Sequence, residues 1–143
     1  MGNITRNFSF EEFEHSETAL RERIDNRIPS AEVGGAIRAL AVNVLQPLRD
    51  YLGAPVIIES GFRCADLNRL VGGQDRSQHK KGEASDIRSP FYEPLAIARA
   101  IVRLKLPFDQ LILYPTFVHV SHKYKGKQRG QVLYNRRYTG EKI

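Results

Sequence analysis

Several things this sequence lacks limit what it can be. Cysteine occurs once, at Cys64, which excludes an intramolecular disulfide framework and a multi-cysteine metal site. Any metal must be held mainly by His, Asp or Glu. Cys64 could still add one ligand, but a lone cysteine is ordinarily an inert buried residue. No run approaches the ~20 apolar residues of a membrane span. The opening MGNITRNFSFEEF has no basic stretch followed by an apolar one, so no signal peptide is visible. Gly2 is followed at position 6 by Arg, where the myristoylation pattern wants Ser or Thr. Repeats, low-complexity tracts and Ser/Pro-rich linkers are also absent. At 143 residues and 41% hydrophobic content, the expectation is one soluble domain over 1–143, monomeric by default.

The charge is uneven. Lys123 to Ile143 contains seven Lys or Arg and one Glu, a net +6, whereas the preceding residues hold 15 basic and 15 acidic groups. The whole excess therefore sits in the segment 123–143. Such a segment can attract an anionic polymer, of the cell wall or of nucleic acid, or merely solvate a face. Tyr124, Tyr134 and Tyr138 are scattered among the charges and match no RNP-like or zinc-finger pattern, which argues against a dedicated nucleic-acid site.

Ser9 and Glu12 form an S-x-x-E capping box that opens a short helix. A longer helix is expected from about Ser30. Val33, Ile37, Leu40, Ala41, Val44, Leu45 and Leu48 keep to one face, Gly53 and Pro55 end it, and Pro47 should kink or loosen its last turn. PVIIES (55–60) reads as a buried strand that delivers Ser60, Gly61, Phe62 and Arg63 to a loop. A helical turn over 66–71 is broken by Gly72 and Gly73. Leu95, Ala98, Ile101 and Val102 mark another helix before Pro107. DQLILY (109–114), FVHVSH (117–122) and GQVLYN (130–135) read as strands. Helices first and a mostly antiparallel sheet later indicate an α+β fold.

The chemistry concentrates in SQHKKGEASD (77–86). Gly82 allows a sharp turn between His79 and Asp86, so that both side chains can converge. In FVHVSH, strand alternation sends Phe117, His119 and Ser121 to one face and Val118, Val120 and His122 to the other. His119, central to the run, is the better partner for His79 and Asp86. His15, between Glu14 and Ser16, reads as a solvated residue.

Together, SGFRCADLNRLVGG (60–73), SQHKKGEASDI (77–87), FDQLI (108–112) and FVHVS (117–121) resemble the zinc D-alanyl-D-alanine carboxypeptidase family. This group of murein metallopeptidases also includes phage L-alanyl-D-glutamate endolysins and the metal-binding Hedgehog signalling domain. Its signature S-x-H-x-x-G-x-A-x-D is matched by Ser77, His79, Gly82, Ala84 and Asp86. The resemblance extends back through NFSFEEF and VLQPLRDYLG. It implies Zn²⁺ held by His79, Asp86 and His119, Arg63 facing the substrate, and Ser77 steadying the His79 loop. The implied reaction is attack of zinc-bound hydroxide on D-amino-acid-containing peptide bonds of peptidoglycan, as a carboxypeptidase or a stem-peptide endopeptidase.

The chain departs from the family at one position. Members carry Glu or Asp three residues before the last histidine ligand as general base, and here that position is Thr116. A hydroxyl cannot replace a carboxylate in that task near neutral pH. Asp109 is the first substitute, with Glu83, Tyr114 and His122 behind it. The alternative function is a non-catalytic, zinc-containing murein-binding or structural module of phage origin. With no visible signal peptide, the expected route is cytoplasmic synthesis followed by action at the wall, as in phage lysis or on a virion.

Overall fold

A computed structural model describes residues 2–143. Its helices are α1 (Phe10–Glu14), α2 (Glu17–Arg21), α3 (Ala31–Leu40), α4 (Gln46–Leu52), α5 (Ala65–Leu70) and α6 (Pro94–Arg103). Its strands are β1 (Ile57–Ser60), β2 (Ala84–Arg88), β3 (Gln110–Leu113), β4 (Val118–Ser121) and β5 (Gln131–Tyr134). The sheet order is β1-β2-β4-β3-β5. All neighbours are antiparallel except the β3–β5 pair, so the fold is α+β with a mostly antiparallel sheet, as expected. No helix among the described residues is long and apolar enough to cross a membrane.

The capping box forms: the Ser9 hydroxyl accepts from the Glu12 N–H, and the Glu12 carboxylate accepts from the Ser9 N–H. Two orphan donors at the start of α1 are thereby satisfied, and Phe13 is fully buried beneath. Ser30 caps α3 one way only, its hydroxyl accepting from the Val33 N–H.

The long helix runs through Pro47, but the perturbation lies upstream of the last turn. Residues 41–45 widen into a π-helical turn before α4 resumes and ends at the left-handed Gly53. Proline cannot donate to the carbonyl four residues back and its ring crowds that carbonyl, and widening the turn relieves both. Asn43 turns its side-chain amide back onto the Ala39 carbonyl at 2.8 Å. The apolar face stays continuous: Ile37, Leu40, Val44, Leu45 and Leu48 are all fully buried. Each contributes roughly 1.5–3 kcal/mol of burial.

That face and α6 meet one side of the sheet, where Ile87, Leu111, Leu113, Val118 and Val120 are fully buried. Strand β1 forms as expected but is half-buried, because it pairs with β2 alone and lies at the sheet edge. The opposite side of the sheet, not covered in this way, carries the site.

Candidate metal centre

Strand register builds most of the centre. Asp86 on β2 stands opposite His119 on β4, and on its other side opposite Ser60 on β1. Residues directly opposite share a face, so Ser60, Asp86 and His119 form a row across the sheet. Their neighbours Ile87, Val118 and Val120 point into the core. Alternation thus lets the strands bury valine and isoleucine on one side and present ligand-type groups on the other.

His79 comes from outside the sheet. A 3-10 turn, Gln78–Lys81, is opened by Ser77, whose hydroxyl accepts from the His79 N–H at 3.2 Å. It is closed by Gly82 in the left-handed region at φ 75°. A side chain there would also meet the Val33 carbonyl oxygen at 2.8 Å, so both conformation and space require glycine.

The His79 Nδ1 lies 2.7 Å from the Gly61 carbonyl oxygen. A carbonyl only accepts, so Nδ1 carries the proton and Nε2 presents a lone pair. That Nε2 is buried without a hydrogen-bond partner, 3.3 Å from Asp86 Oδ1. His119 Nδ1 lies 2.9 Å from the same oxygen. One ligand atom from each of His79, Asp86 and His119 falls within 4.8 Å of the others. Two imidazole nitrogens and a carboxylate oxygen suit Zn²⁺, and an orphaned buried nitrogen aimed at the group fits a metal ligand. The Gly61 carbonyl fixes the ring and tautomer of His79, as outer partners of metal-binding histidines do. Burial pushes the Asp86 carboxyl upward, but the His119 and His79 imidazoles beside it outweigh that and hold Asp86 well below the usual carboxylate range.

Arg63 closes the group from the β1 side. Its Nη2 lies 3.5 Å from Asp86 Oδ2, its Nε donates to Ser60 Oγ (3.1 Å) and its Nη1 donates to Asn68 Oδ1 (3.0 Å). Burial lowers the guanidinium's affinity for its proton, and Asp86 opposes that shift. Arg63 also borders two open clefts of about 570 Å³ each. One is lined by Arg27, Phe62 and Lys80, the other by Ser16, Glu59 and Leu67.

The family model for Peptidase M15 matches residues 6–121 of this architecture. The chain belongs to the peptidase M15 family. No curated protein matches it significantly. M15 peptidases are zinc-dependent metallopeptidases, and the donor set found here could hold that ion. The M15 match contains Arg63, Ser77, His79, Asp86, Asp109 and His119, and stops before β5 and the basic segment.

Within this M15 chain, Asp109 is not brought to the cluster. It precedes Gln110 and Ile112, which share the His119 face, and so it points to the other side of the sheet with Leu111 and Leu113. Its carboxylate is fully buried and accepts from the Arg129 backbone N–H (2.8 Å) and from Arg129 Nη2 (2.7 Å). Burial would raise its pKa, but these bonds, Arg129 and Lys123 hold it below the ordinary value.

The other substitutes are also distributed by the fold. His122 directs Nδ1 to the Pro107 carbonyl, and Glu83 accepts from Gln78 Nε2 and the Tyr124 N–H. Thr116 lies exposed in the β3–β4 turn. Tyr114 differs. Its N–H donates to the Phe117 carbonyl, extending the Ile112–His119 pairing by one step, so its ring falls on the metal face, stacked on Phe117. Burial, then the charge of Asp86, raises the Tyr114 phenol, with Arg63 opposing.

Sequence reasoning missed the parts played by Gly61 and Asn68. Gly61 acts through a backbone carbonyl, which no side-chain motif reveals. Asn68 is inside the SGFRCADLNRLVGG stretch, but nothing there said which way it points.

Proposed function

We propose that this M15 chain is a zinc peptidase that cleaves D-amino-acid-containing peptide bonds in peptidoglycan stems. The observation that carries the reading is the convergence of His79, Asp86 and His119, with a buried partnerless Nε2, beside the Arg63 guanidinium. His79, Asp86 and His119 would hold Zn²⁺, which when bound supplies Lewis acidity and draws the pKa of water down towards ~7. Arg63 then has a free direction: with Asp86 engaged by metal, Nη2 can bind the carbonyl oxygen as it gains negative charge, or a substrate carboxylate. Ser77 holds the His79 turn. Tyr114, with its phenol pushed upward, keeps its proton at neutral pH and serves as a hydrogen-bond donor on the same face. The exposed cations of the 123–143 segment would hold the enzyme on an anionic wall polymer.

A second reading is a zinc-containing module that binds murein without cutting it. It is favoured by Thr116, and by the commitment of Asp109 to Arg129, which leaves no carboxylate beyond Asp86 in the cluster among the described residues. The test is mass spectrometry of defined muropeptides incubated with wild type, chelator-treated, zinc-restored and His79→Ala protein. Cleavage lost with chelator and regained with zinc supports the peptidase. Stoichiometric zinc with no product supports the module.

A further inference from the structure

We propose that Asn68 and Gly73 are positioning residues that keep Arg63 aimed at the metal cluster. What Arg63 does to substrate rests on the peptidase reading above, but the clamp itself does not. A guanidinium carries five N–H donors on a stem with large rotamer freedom, so an aimed arginine needs acceptors at more than one nitrogen. Arg63 has them: Ser60 Oγ takes Nε and Asn68 Oδ1 takes Nη1. Two of its three nitrogens are thus held by uncharged groups, and Nη2 is left towards Asp86.

Asn68 is itself held. It is 2% exposed, and its amide nitrogen donates to the Gln74 carbonyl at 2.8 Å. Since that carbonyl only accepts, the Asn68 amide has one orientation, with Oδ1 facing Arg63. The backbone completes the loop: the Gly73 N–H donates to the Asn68 carbonyl at 2.8 Å, and the Arg63 N–H donates to the His79 carbonyl at 3.1 Å.

The paired glycines serve different purposes. Gly72 has φ +77°, and a Cβ there would meet nothing within 4 Å, so only its conformation matters. Gly73 is not in the left-handed region. A Cβ there would stand 2.1 Å from Asn68 Oδ1 and 2.8 Å from Arg63 Nη1. Its missing side chain is the space the clamp occupies.

The test compares Gly73→Ala, Gly72→Asn, Asn68→Ala and Asn68→Asp in zinc-loaded protein, each first checked for wild-type circular dichroism. The ¹⁵N–¹H signal of Arg63 Nε reports the clamp, and kcat and KM on a muropeptide report its effect. Gly73→Ala and Asn68→Ala should shift or lose the Nε signal and lower kcat/KM at least tenfold, with zinc stoichiometry unchanged. Gly72→Asn suits the left-handed position and should keep both. Asn68→Asp keeps an acceptor for Nη1 but lacks the donor to the Gln74 carbonyl that fixes residue 68, and should shift the Nε signal as well. An unchanged Nε signal in folded Gly73→Ala and Asn68→Ala overturns the proposal, as does an equal loss in Gly72→Asn. If the wild type cleaves nothing, the peptidase reading fails, and the Nε signal still decides the clamp.

Discussion

At the scale of single residues, Asp86 and Asp109, two carboxylates the sequence offered for the site, have different work. Asp86 faces His79 and His119, whereas Asp109 ties the start of β3 to Arg129. His79→Ala should abolish stoichiometric zinc uptake, measured by mass spectrometry under native conditions, because it removes the one member of the cluster supplied from outside the sheet. Asp109→Asn should leave zinc stoichiometry intact and lower stability by about 1–3 kcal/mol, since it weakens a buried, charge-assisted set of bonds. The pH dependence follows from the direction of the shift. A carboxyl held below its unfolded value of 3.8 contributes stability above that pH and loses it as pH falls towards the folded value. Urea midpoints should therefore decline below about pH 4 more steeply in wild type than in Asp109→Asn. An identical decline in both would remove Asp109 from the account.

At the scale of elements, close backbone approach decides which substitutions the fold tolerates. A Cβ at Gly61 would meet the Phe13 Cα and carbonyl oxygen at 2.8 Å, where β1 leaves the sheet against α1. Backbone cannot swing aside, and the same Gly61 carbonyl orients His79. Gly61→Ala should cost about 3 kcal/mol or more and lower Tm by roughly 10 °C, with weakened zinc binding. Gly35→Ala makes the contrast. Its Cβ would meet the Tyr124 hydroxyl, the far end of a side chain that is 40% exposed and free to move out. The gain in helix propensity, about 1 kcal/mol, should leave Gly35→Ala near wild-type stability in thermal denaturation. The helix and strand periods were legible in the sequence because each is set by local burial. The π turn at 41–45 was not, because where a helix absorbs Pro47 depends on keeping five apolar side chains on one packed face.

At the scale of the whole molecule, the basic segment is part of the sheet and also a charged surface. Strand β5 pairs with β3, Arg129 grips Asp109, and Arg99 on α6 donates to Glu141 and to the Lys142 carbonyl. A chain ending at Ser121 should therefore lose its cooperative thermal transition, since Asp109 would be left buried without its cation and β3 without the β5 strand on its outer side. Lys125, Lys127, Arg136, Arg137 and Lys142 are exposed and form no ion pair among the described residues. Retention on an immobilised phosphate-rich wall polymer should fall steeply from about 50 to 200 mM salt, and with Arg136→Glu plus Arg137→Glu. Retention insensitive to salt would sink the electrostatic reading of this surface.

The sequence by itself determined most element types, though not α2 or the β2 strand that carries Asp86, together with the uneven charge and the pattern that singles out His79, Asp86 and His119. Periodicity, capping and ligand spacing are local, and they survive without knowledge of what packs where. Only the tertiary structure decided which strands are neighbours, and hence which face each side chain meets. A strand's parity says that Asp109 and Gln110 point opposite ways, but it does not say which face carries the His79, Asp86 and His119 cluster. The pairing of Asp86 with His119 settles that, placing Tyr114 beside the cluster, Asp109 behind it, and Asn68 under Arg63.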